Sequence, residues 1–279
     1  MGLLLGYPNA ATYLSTLHSQ GKIDSKTVSI LLAYTTNANP AFIISTIGIS
    51  FYCNIQIGII LLLSHFLSAI ILGIGLRNVN INIIQQKPQN SYTLNEKREK
   101  NIFNTITTSI FKTLKTLGII FCFTVIFAII SSLICNILKL SYIPTSIITA
   151  IFELTNGMKT IANTSLAINT KVMLSSFFLS FGSLMIIYQI YAVVHKCNIS
   201  LFKFIIYKIF HGILSAIVSY ILLMVIVVQD ITIPTFSNIQ SVLKYSLPEL
   251  VYILAITIIL LYFCFKKHKK KFCVKKGCP

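Results

Sequence analysis

The residues that could carry chemistry in this chain are polar groups embedded in apolar sequence. Glu153 lies in the stretch IFELTNG, close to apolar runs on both sides. A carboxylate at membrane depth is costly and typically faces a cavity or a partner, whereas at the mouth of a hairpin it would be an ordinary solvated charge. Burial disfavours the charged form, so Glu153 is expected to be neutral in an empty site and to titrate when a ligand binds. Asn156 adds an amide beside it, and Gly157 lets the backbone turn.

A second set of polar residues marks interruptions of apolar sequence. Tyr7 and Pro8 lie in GYPNAA near the start of the chain, and Asn37 lies in TNANP within a long apolar stretch. Interrupted helices expose unpaired backbone N–H groups, whose partial positive charge suits a carboxylate or phosphate. Gln189 supplies an amide within FGSLMIIYQ, where a helix–helix hydrogen bond is the alternative role. Polar groups clustered at these interruptions are therefore candidates for a binding site where the interruptions meet.

The sequence carries no pattern of an enzyme or a metal site. No His pair has metal-ligand spacing, no Walker-type loop occurs, and no Ser or Cys nucleophile has a neighbouring base. His65 lies in the middle of an apolar run, where an interhelical hydrogen bond is the alternative to a ligand or proton role. The seven Cys show no paired spacing and indicate no disulfide framework. We expect no catalytic residue, metal or cofactor.

Composition requires a lipid environment for these residues. Hydrophobic residues make up 55% of the 279 and charged residues 10%, whereas a soluble domain carries about 25% charged residues. A spanning helix needs roughly 20 apolar residues. We expect Thr27–Tyr52 to form two half-helices around a break at Thr36–Pro40, because proline disfavours helix at the residue before it. The other predicted spans are Ile57–Leu76, Leu117–Lys139, Val172–His195, Phe210–Gln229 and Leu250–Phe265.

Two apolar stretches, residues 1–21 and 143–170, are too short or too broken for two full passes. Such stretches can form re-entrant hairpins if their backbone lines a cavity or packs in protein. The predicted fold is an all-α polytopic membrane protein with about six transmembrane helices and two re-entrant hairpins in an inverted-repeat arrangement. The predicted regions are a first repeat (1–76), a cytoplasmic loop with an amphipathic helix (77–116), a second repeat (117–229), an external loop with the last span (230–265) and a basic tail (266–279).

The net charge of +17 follows from the same topology. Six crossings place nineteen of the 23 Lys and Arg on one side, Lys208 among them, and Lys139, Lys159, Lys171 and Lys244 on the other. Cytoplasmic loops collect Lys and Arg, so both termini are predicted to be cytoplasmic. The charge therefore requires no nucleic acid. The tail KKHKKKFCVKKGCP is expected to contact anionic lipid headgroups of the bilayer.

At these positions the chain resembles the sporulation integral membrane protein family YlbJ. The resemblance rests on GYPNAA, on GKIDSKTVSILLAYTTNANPAFIISTIG, on LLLSHFLSAIILGI, and on FELTNG and FGSLMIIYQ in the second half. Leu5, Ala10 and Ser183 depart from that family's pattern. Members carry a further membrane-embedded region before the first hairpin, so the resemblance implies that Met1 is not the authentic start, or that the chain is an N-terminally truncated copy.

The resemblance implies a transporter of the nucleoside-recognition or Gate-domain group, related to concentrative nucleoside transporters. Its implied substrate is dipicolinate, moved from the mother cell across the outer forespore membrane. The substrate-site residues that the resemblance implies are Tyr7, Pro8, Asn37, Pro40, Glu153, Asn156 and Gln189. A carboxylate at Glu153 opposes such an anion unless it is protonated or paired with a cation, which predicts proton or cation coupling. The alternatives are a nucleoside or metal-ion permease and a non-transporting membrane scaffold in spore formation. No oligomeric state follows from the sequence.

Overall fold

The described part of the chain consists of helices joined by short connections. The computed structural model describes residues 6–77 and 102–226, and this part of the chain contains helices and no strands. In chain order the helices are α1 (Tyr7–Ser19), α2 (Ser25–Thr35), a π-helix (Phe42–Phe51), α3 (Ile55–Leu76), α4 (Ile102–Ile137), α5 (Tyr142–Phe152), α6 (Leu154–Ala162), α7 (Ile168–Phe181), α8 (Ser183–Val194), a short 3₁₀ turn (His195–Cys197) and α9 (Leu201–Val225).

Four segments of the described residues are long and apolar enough to cross a membrane. They are Ile55–Leu76, Thr113–Ile137, Ile168–Cys197 and Leu201–Val225. The all-α membrane class is confirmed for this part of the chain. The predicted loop after Arg77, the predicted loop and last span at 230–265, and the tail at 266–279 lie outside the described residues. The boundaries of the two repeats stay predictions.

The predicted break at Thr36–Pro40 is present. Helix α2 begins at an N-cap, because the Asp24 carboxylate accepts a hydrogen bond from the Thr27 N–H at 2.8 Å. It ends at Thr35, and residues 36–39 have no regular structure. The chain after the break is wound as the π-helix, which packs on α3 where Gly48 meets Gly58. A Cβ at Gly58 would lie 3.1 Å from the Gly48 Cα, so these glycines permit the close approach.

Helix α4 is continuous through its whole length. The sequence predicts an amphipathic helix at Phe103–Leu117 followed by a span from Leu117, and the structure joins the two in one helix of 36 residues. No proline interrupts this stretch, so nothing forces a break between them. The described residues of the chain form two compact units. One holds residues 6–77 and 131–226, and the other holds residues 102–130. Phe111 and Leu114 are exposed, as lipid-facing side chains would be.

Helices α5 and α6 form a tight hairpin at the place where the second hairpin is predicted. Glu153 is both the C-cap of α5 and the N-cap of α6, and its own backbone is extended. The expectation that Gly157 makes the turn is wrong, since Gly157 lies inside α6. A Cβ there would overlap the backbone of Ala150 on α5, so this glycine allows close packing instead. The re-entrant character of the hairpin stays a prediction.

The predicted continuous span Val172–His195 is broken. Helix α7 ends at Gly182, which has φ of 87°, and Ser183 follows with φ of 52°. Glycine tolerates the left-handed conformation, and here it separates α7 from α8. One glycine within a helix costs only about 1 kcal/mol, so the sequence alone gave no reason to place the break there.

Helix α9 begins at Leu201 rather than at the predicted Phe210. Ser200 caps it by accepting a hydrogen bond from the Lys203 N–H at 3.4 Å. Lys208, predicted to be a loop charge on the cytoplasmic side, therefore lies within a helix that can cross a membrane, and its side chain is completely buried. This corrects the sequence-based placement of Lys208. The apolar residues around it allow the helix to start two turns earlier than hydropathy alone suggests.

Helices α3 and α9 pack together at the centre of the unit that holds residues 6–77 and 131–226. Helix α3 also contacts α7, the first half of the broken helix in the second part of the chain. Helix α9 also contacts α2, which precedes the break in the first part. Helix α9 packs along α7, and α3 packs along the π-helix. Both helix breaks are thereby held against the α3–α9 pair.

Candidate functional site

Lys208 connects the two helix breaks. Its ammonium donates a hydrogen bond to the Thr36 carbonyl in the first break at 3.0 Å. On the other side, a Cβ at Gly182 in the second break would lie 3.8 Å from the Lys208 Cε and 3.6 Å from the Tyr7 ring. The side chain of Lys208 is fully buried. We call the group formed by the two breaks, Lys208 and the two histidines described next the central site.

His65 and His211 fix the protonation pattern of the central site. The Ala38 N–H donates to the His65 Nε2 at 3.1 Å, so that nitrogen is an acceptor and the Nδ1 donates to the Ser180 hydroxyl at 2.7 Å. The His211 Nε2 lies 3.2 Å from the His65 carbonyl and must donate to it. Its Nδ1 then accepts from the Lys208 ammonium at 3.4 Å. Two neutral imidazoles satisfy every one of these contacts.

The charge of Lys208 has no carboxylate partner among the described residues. Both acidic residues of this part of the chain cap helices: Asp24 caps α2 and Glu153 caps α6. The ammonium contacts a carbonyl and an imidazole, and the Tyr7 ring centroid lies 5.8 Å away. Neutral partners offset only part of the cost of burying an ammonium, which is several kcal/mol in proteins. An anion placed here would compensate the charge directly.

Two buried polar atoms of the helix breaks lack a partner. Within residues 6–77 and 102–226, the buried side-chain atoms without a hydrogen bond are the Asn37 Oδ1 and the Ser183 Oγ. One belongs to each helix break, and both side chains are completely buried. Buried polar groups are nearly always hydrogen-bonded, so each such exception needs an explanation.

Four of the predicted site residues lie in α1 and at the first break. Tyr7 is buried at the start of α1, and its hydroxyl donates to the Leu179 carbonyl of α7 at 2.6 Å. Pro8 occupies the first turn of α1, and Pro40 ends the first break; both are half-buried. Asn37 lies in the first break, where its Nδ2 donates to the Tyr34 carbonyl at 2.8 Å. The structure therefore brings Tyr7 and Asn37 into the neighbourhood of Lys208.

The remaining predicted residues lie elsewhere. The Glu153 carboxylate accepts hydrogen bonds from the Thr155 and Asn156 N–H groups, at 2.8 Å and 2.7 Å. Glu153 is buried, but the Asn156 side chain is exposed. Gln189 is buried on α8. Among the described residues, Glu153 forms no hydrogen bond or ion pair with Lys208 or Asn37, so the hairpin turn is not bonded to the central site.

Comparison with known proteins identifies one relative. The chain is 23% identical over 248 residues to sporulation integral membrane protein YlbJ of Bacillus subtilis (strain 168). This similarity supports a YlbJ-like family assignment. The matched region covers 78% of this chain and 61% of the relative, so the chain spans about three fifths of the relative's length. No protein-family model and no solved structure matches it. The YlbJ-like assignment and the four long apolar segments support an integral membrane protein.

Sequence reasoning missed Lys208 and His211. Lys208 was counted with the loop charges, because a lone lysine near an apolar run is usually solvated. The signal was the spacing of α9, where the buried positions recur every three or four residues on one face. That face carries Phe204, Lys208, His211, Gly212, Ser215 and Ser219.

A series of hydrogen-bonded hydroxyl groups connects α3, α7 and α9 beside the central site. Ser176 of α7 bonds to Ser64 of α3 at 2.9 Å and to Ser215 of α9 at 2.7 Å. Small hydroxyl residues let helices approach closely and hydrogen-bond within a membrane. These contacts fix α3, α7 and α9 beside the central site.

Proposed function

We propose that the chain is a membrane transporter that carries a small anionic metabolite during sporulation. The sporulation link comes from the printed description of its relative, YlbJ. By resemblance, the substrate is dipicolinate, carried from the mother cell across the outer forespore membrane. The resemblance to the Gate-domain group favours transport over other membrane roles.

The observation that carries this proposal is the buried Lys208, held between two helix breaks without a carboxylate partner. An anionic substrate gains the attraction of an ammonium in a medium of low dielectric constant, where charge interactions are strong. A metal cation would be repelled by the same ammonium, and a neutral nucleoside would leave its charge uncompensated. The central site therefore favours an anion over both alternative substrates.

The packing of the helices supports a repeat-based mechanism. The first part of the chain contributes a broken helix and the long helix α3, and the second part contributes a broken helix and the long helix α9. Helix α3 contacts α7 of the second part, and α9 contacts α2 of the first part. Two repeats related in this way can rock against each other and expose a site between them to one side at a time. We propose that the central site is the one exposed alternately.

Glu153 is the proposed coupling residue. Both of its oxygens accept backbone N–H groups at the start of α6. A proton on this carboxyl would weaken one of those hydrogen bonds and loosen the turn between α5 and α6. Glu153→Gln should therefore reduce the pH dependence of uptake; unchanged pH dependence would remove the coupling role and leave the transport proposal intact.

The transport proposal is tested with the full chain reconstituted in liposomes. They should accumulate labelled dipicolinate faster than empty liposomes, and excess uridine or Mn²⁺ should not slow that uptake. No uptake above the empty control would contradict the proposal. A membrane scaffold would tolerate alanine at Asn37, Asn156 and Gln189 together, whereas a transporter should lose uptake through the change at Asn37.

A further inference from the structure

The side-chain amide of Asn37 has a fixed orientation. Its Nδ2 donates to the Tyr34 carbonyl at 2.8 Å, and this contact would be repulsive if the amide were flipped. The buried atom without a partner is therefore the carbonyl oxygen Oδ1, which can only accept a hydrogen bond. An unsatisfied buried acceptor is unfavourable, and whatever satisfies it must bring an N–H or O–H group.

This acceptor belongs to a residue that is flanked in sequence by two contacts of the central site. Asn37 stands between Thr36, whose carbonyl accepts from Lys208, and Ala38, whose N–H donates to His65. Adjacent Cα atoms are about 3.8 Å apart, so the Asn37 backbone lies close to the Thr36 carbonyl that the ammonium contacts. The Ser183 hydroxyl, the other atom without a partner, belongs to the residue after Gly182, whose Cβ position would lie 3.8 Å from the Lys208 Cε.

The other polar groups facing the ammonium are already engaged. The titratable and charged groups around it are Tyr7 from α1, His65 from α3 and His211 from α9. The Tyr7 hydroxyl donates to the Leu179 carbonyl. Both nitrogens of His65 are hydrogen-bonded, to the Ala38 N–H and the Ser180 hydroxyl. Both nitrogens of His211 are engaged too, by the His65 carbonyl and the Lys208 ammonium. Three atoms remain for a ligand: one cationic donor, one neutral acceptor, and one hydroxyl that can do either.

We propose that the central site selects an anion that also carries a hydrogen-bond donor. Its anionic oxygen binds Lys208, its O–H or N–H group donates to the Asn37 Oδ1, and Ser183 binds either group. The inference rests on the proposed transport function and narrows its substrate. A fully ionised dicarboxylate has no donor, but its singly protonated form has both groups. For a substrate such as dipicolinate, the bound species is then the monoanion, and the substrate itself carries a proton.

The test measures the affinity of three matched monoanions for the full chain in detergent by isothermal titration. Benzoate lacks a donor, 3-methoxybenzoate adds only an acceptor, and 3-hydroxybenzoate adds a donor. We expect 3-hydroxybenzoate to bind at least about tenfold more tightly than either of the others, the size expected for satisfying a buried acceptor. In Asn37→Leu the three affinities should become equal, while Asn169→Leu, a change at an exposed asparagine of α7, should keep the preference.

Each outcome separates the inference from the function on which it rests. Equal binding of the three anions by the unmodified chain would overturn the inference and leave anion transport standing. Retention of the preference by Asn37→Leu would overturn the assignment to Asn37. Failure of benzoates and dipicolinate alike to bind would overturn both proposals. Because the comparison of probes uses the unmodified chain, it does not depend on whether Asn37→Leu folds.

Discussion

Lys208 combines a cost for folding with a benefit for binding. The ammonium is buried against a carbonyl and an imidazole, neither of which carries a negative charge. Replacing buried charges by apolar side chains of similar size is often neutral or stabilising by about 1–4 kcal/mol. Removing the uncompensated charge should offset the hydrogen bonds that the Thr36 carbonyl and the His211 Nδ1 would lose, so changing Lys208 should separate stability from function.

We predict that Lys208→Met leaves the thermal unfolding temperature in detergent unchanged or raised, and lowers dipicolinate uptake by more than about tenfold. The expected loss of uptake reflects the attraction between a buried charge and its partner, which is worth at least about 2 kcal/mol. Uptake into liposomes and thermal unfolding are measured on the same preparation. Lys203→Met is the matched control, because Lys203 is exposed on the same helix. A destabilised but fully active Lys208→Met would show that the charge is structural.

His65 has the opposite role at the same site. It accepts from the Ala38 N–H and donates to the Ser180 hydroxyl, so it closes the first break against α7. The interhelical hydrogen bond expected from the sequence is present. His65→Leu should lower the free energy of unfolding by about 2–4 kcal/mol, because two buried groups lose their partner.

Denaturant unfolding in detergent measures this loss. His195→Leu is the control, since His195 is exposed and its replacement should change the free energy of unfolding by less than about 0.5 kcal/mol. Equal effects of the two substitutions would argue against the role of His65 in holding the break.

Among the elements, the α5–α6 hairpin depends on one glycine. Gly157→Ala should destabilise the protein by about 1–3 kcal/mol, because its Cβ would overlap the Ala150 backbone across the hairpin. Gly75→Ala in α3 is the control: nothing lies within 4 Å of its Cβ position, and alanine should stabilise the helix by up to about 1 kcal/mol. The two variants are expected to shift the unfolding temperature in opposite directions, and a shift in the same direction would refute the packing argument.

The two helix breaks show which elements a sequence can reveal. Pro40 produces a strong local signal, because proline removes an N–H group and restricts its neighbour, and the break was predicted where it occurs. Gly182 produces a weak signal, because glycine is tolerated in helices, and its break was missed. Lys208 was misplaced for a similar reason: hydropathy assigns lysine to water unless the packing of neighbouring helices is known. Local chemistry could be predicted, whereas the meeting of Asn37, His65 and Lys208 depends on contacts distant in sequence.

In the unit that holds residues 6–77 and 131–226, two hydrogen bonds determine which helix ends lie beside each other. The Ser15 hydroxyl of α1 donates to the Val193 carbonyl at 3.4 Å, which sets the turn after α1 beside the turn after α8. The Tyr52 hydroxyl donates to the Lys171 carbonyl at 3.1 Å, which sets the end of the π-helix beside the start of α7. The segment Ile168–Cys197 is long enough to cross the membrane between these two places.

This arrangement predicts a sidedness that can be measured. Lys22→Cys and Lys196→Cys should react with an impermeant maleimide only in inside-out vesicles, and Lys171→Cys only in right-side-out vesicles, each in a background without the seven native Cys. The reason is that Lys22 and Lys196 share the predicted cytoplasmic face, while the broken segment α7–α8 carries the chain from Lys171 to Lys196 across the bilayer. Labelling of Lys171→Cys and Lys196→Cys from the same face would mean that this segment returns to the side where it began. Lys208 would then not lie between two spanning halves, and alternating exposure of the central site would have no structural basis.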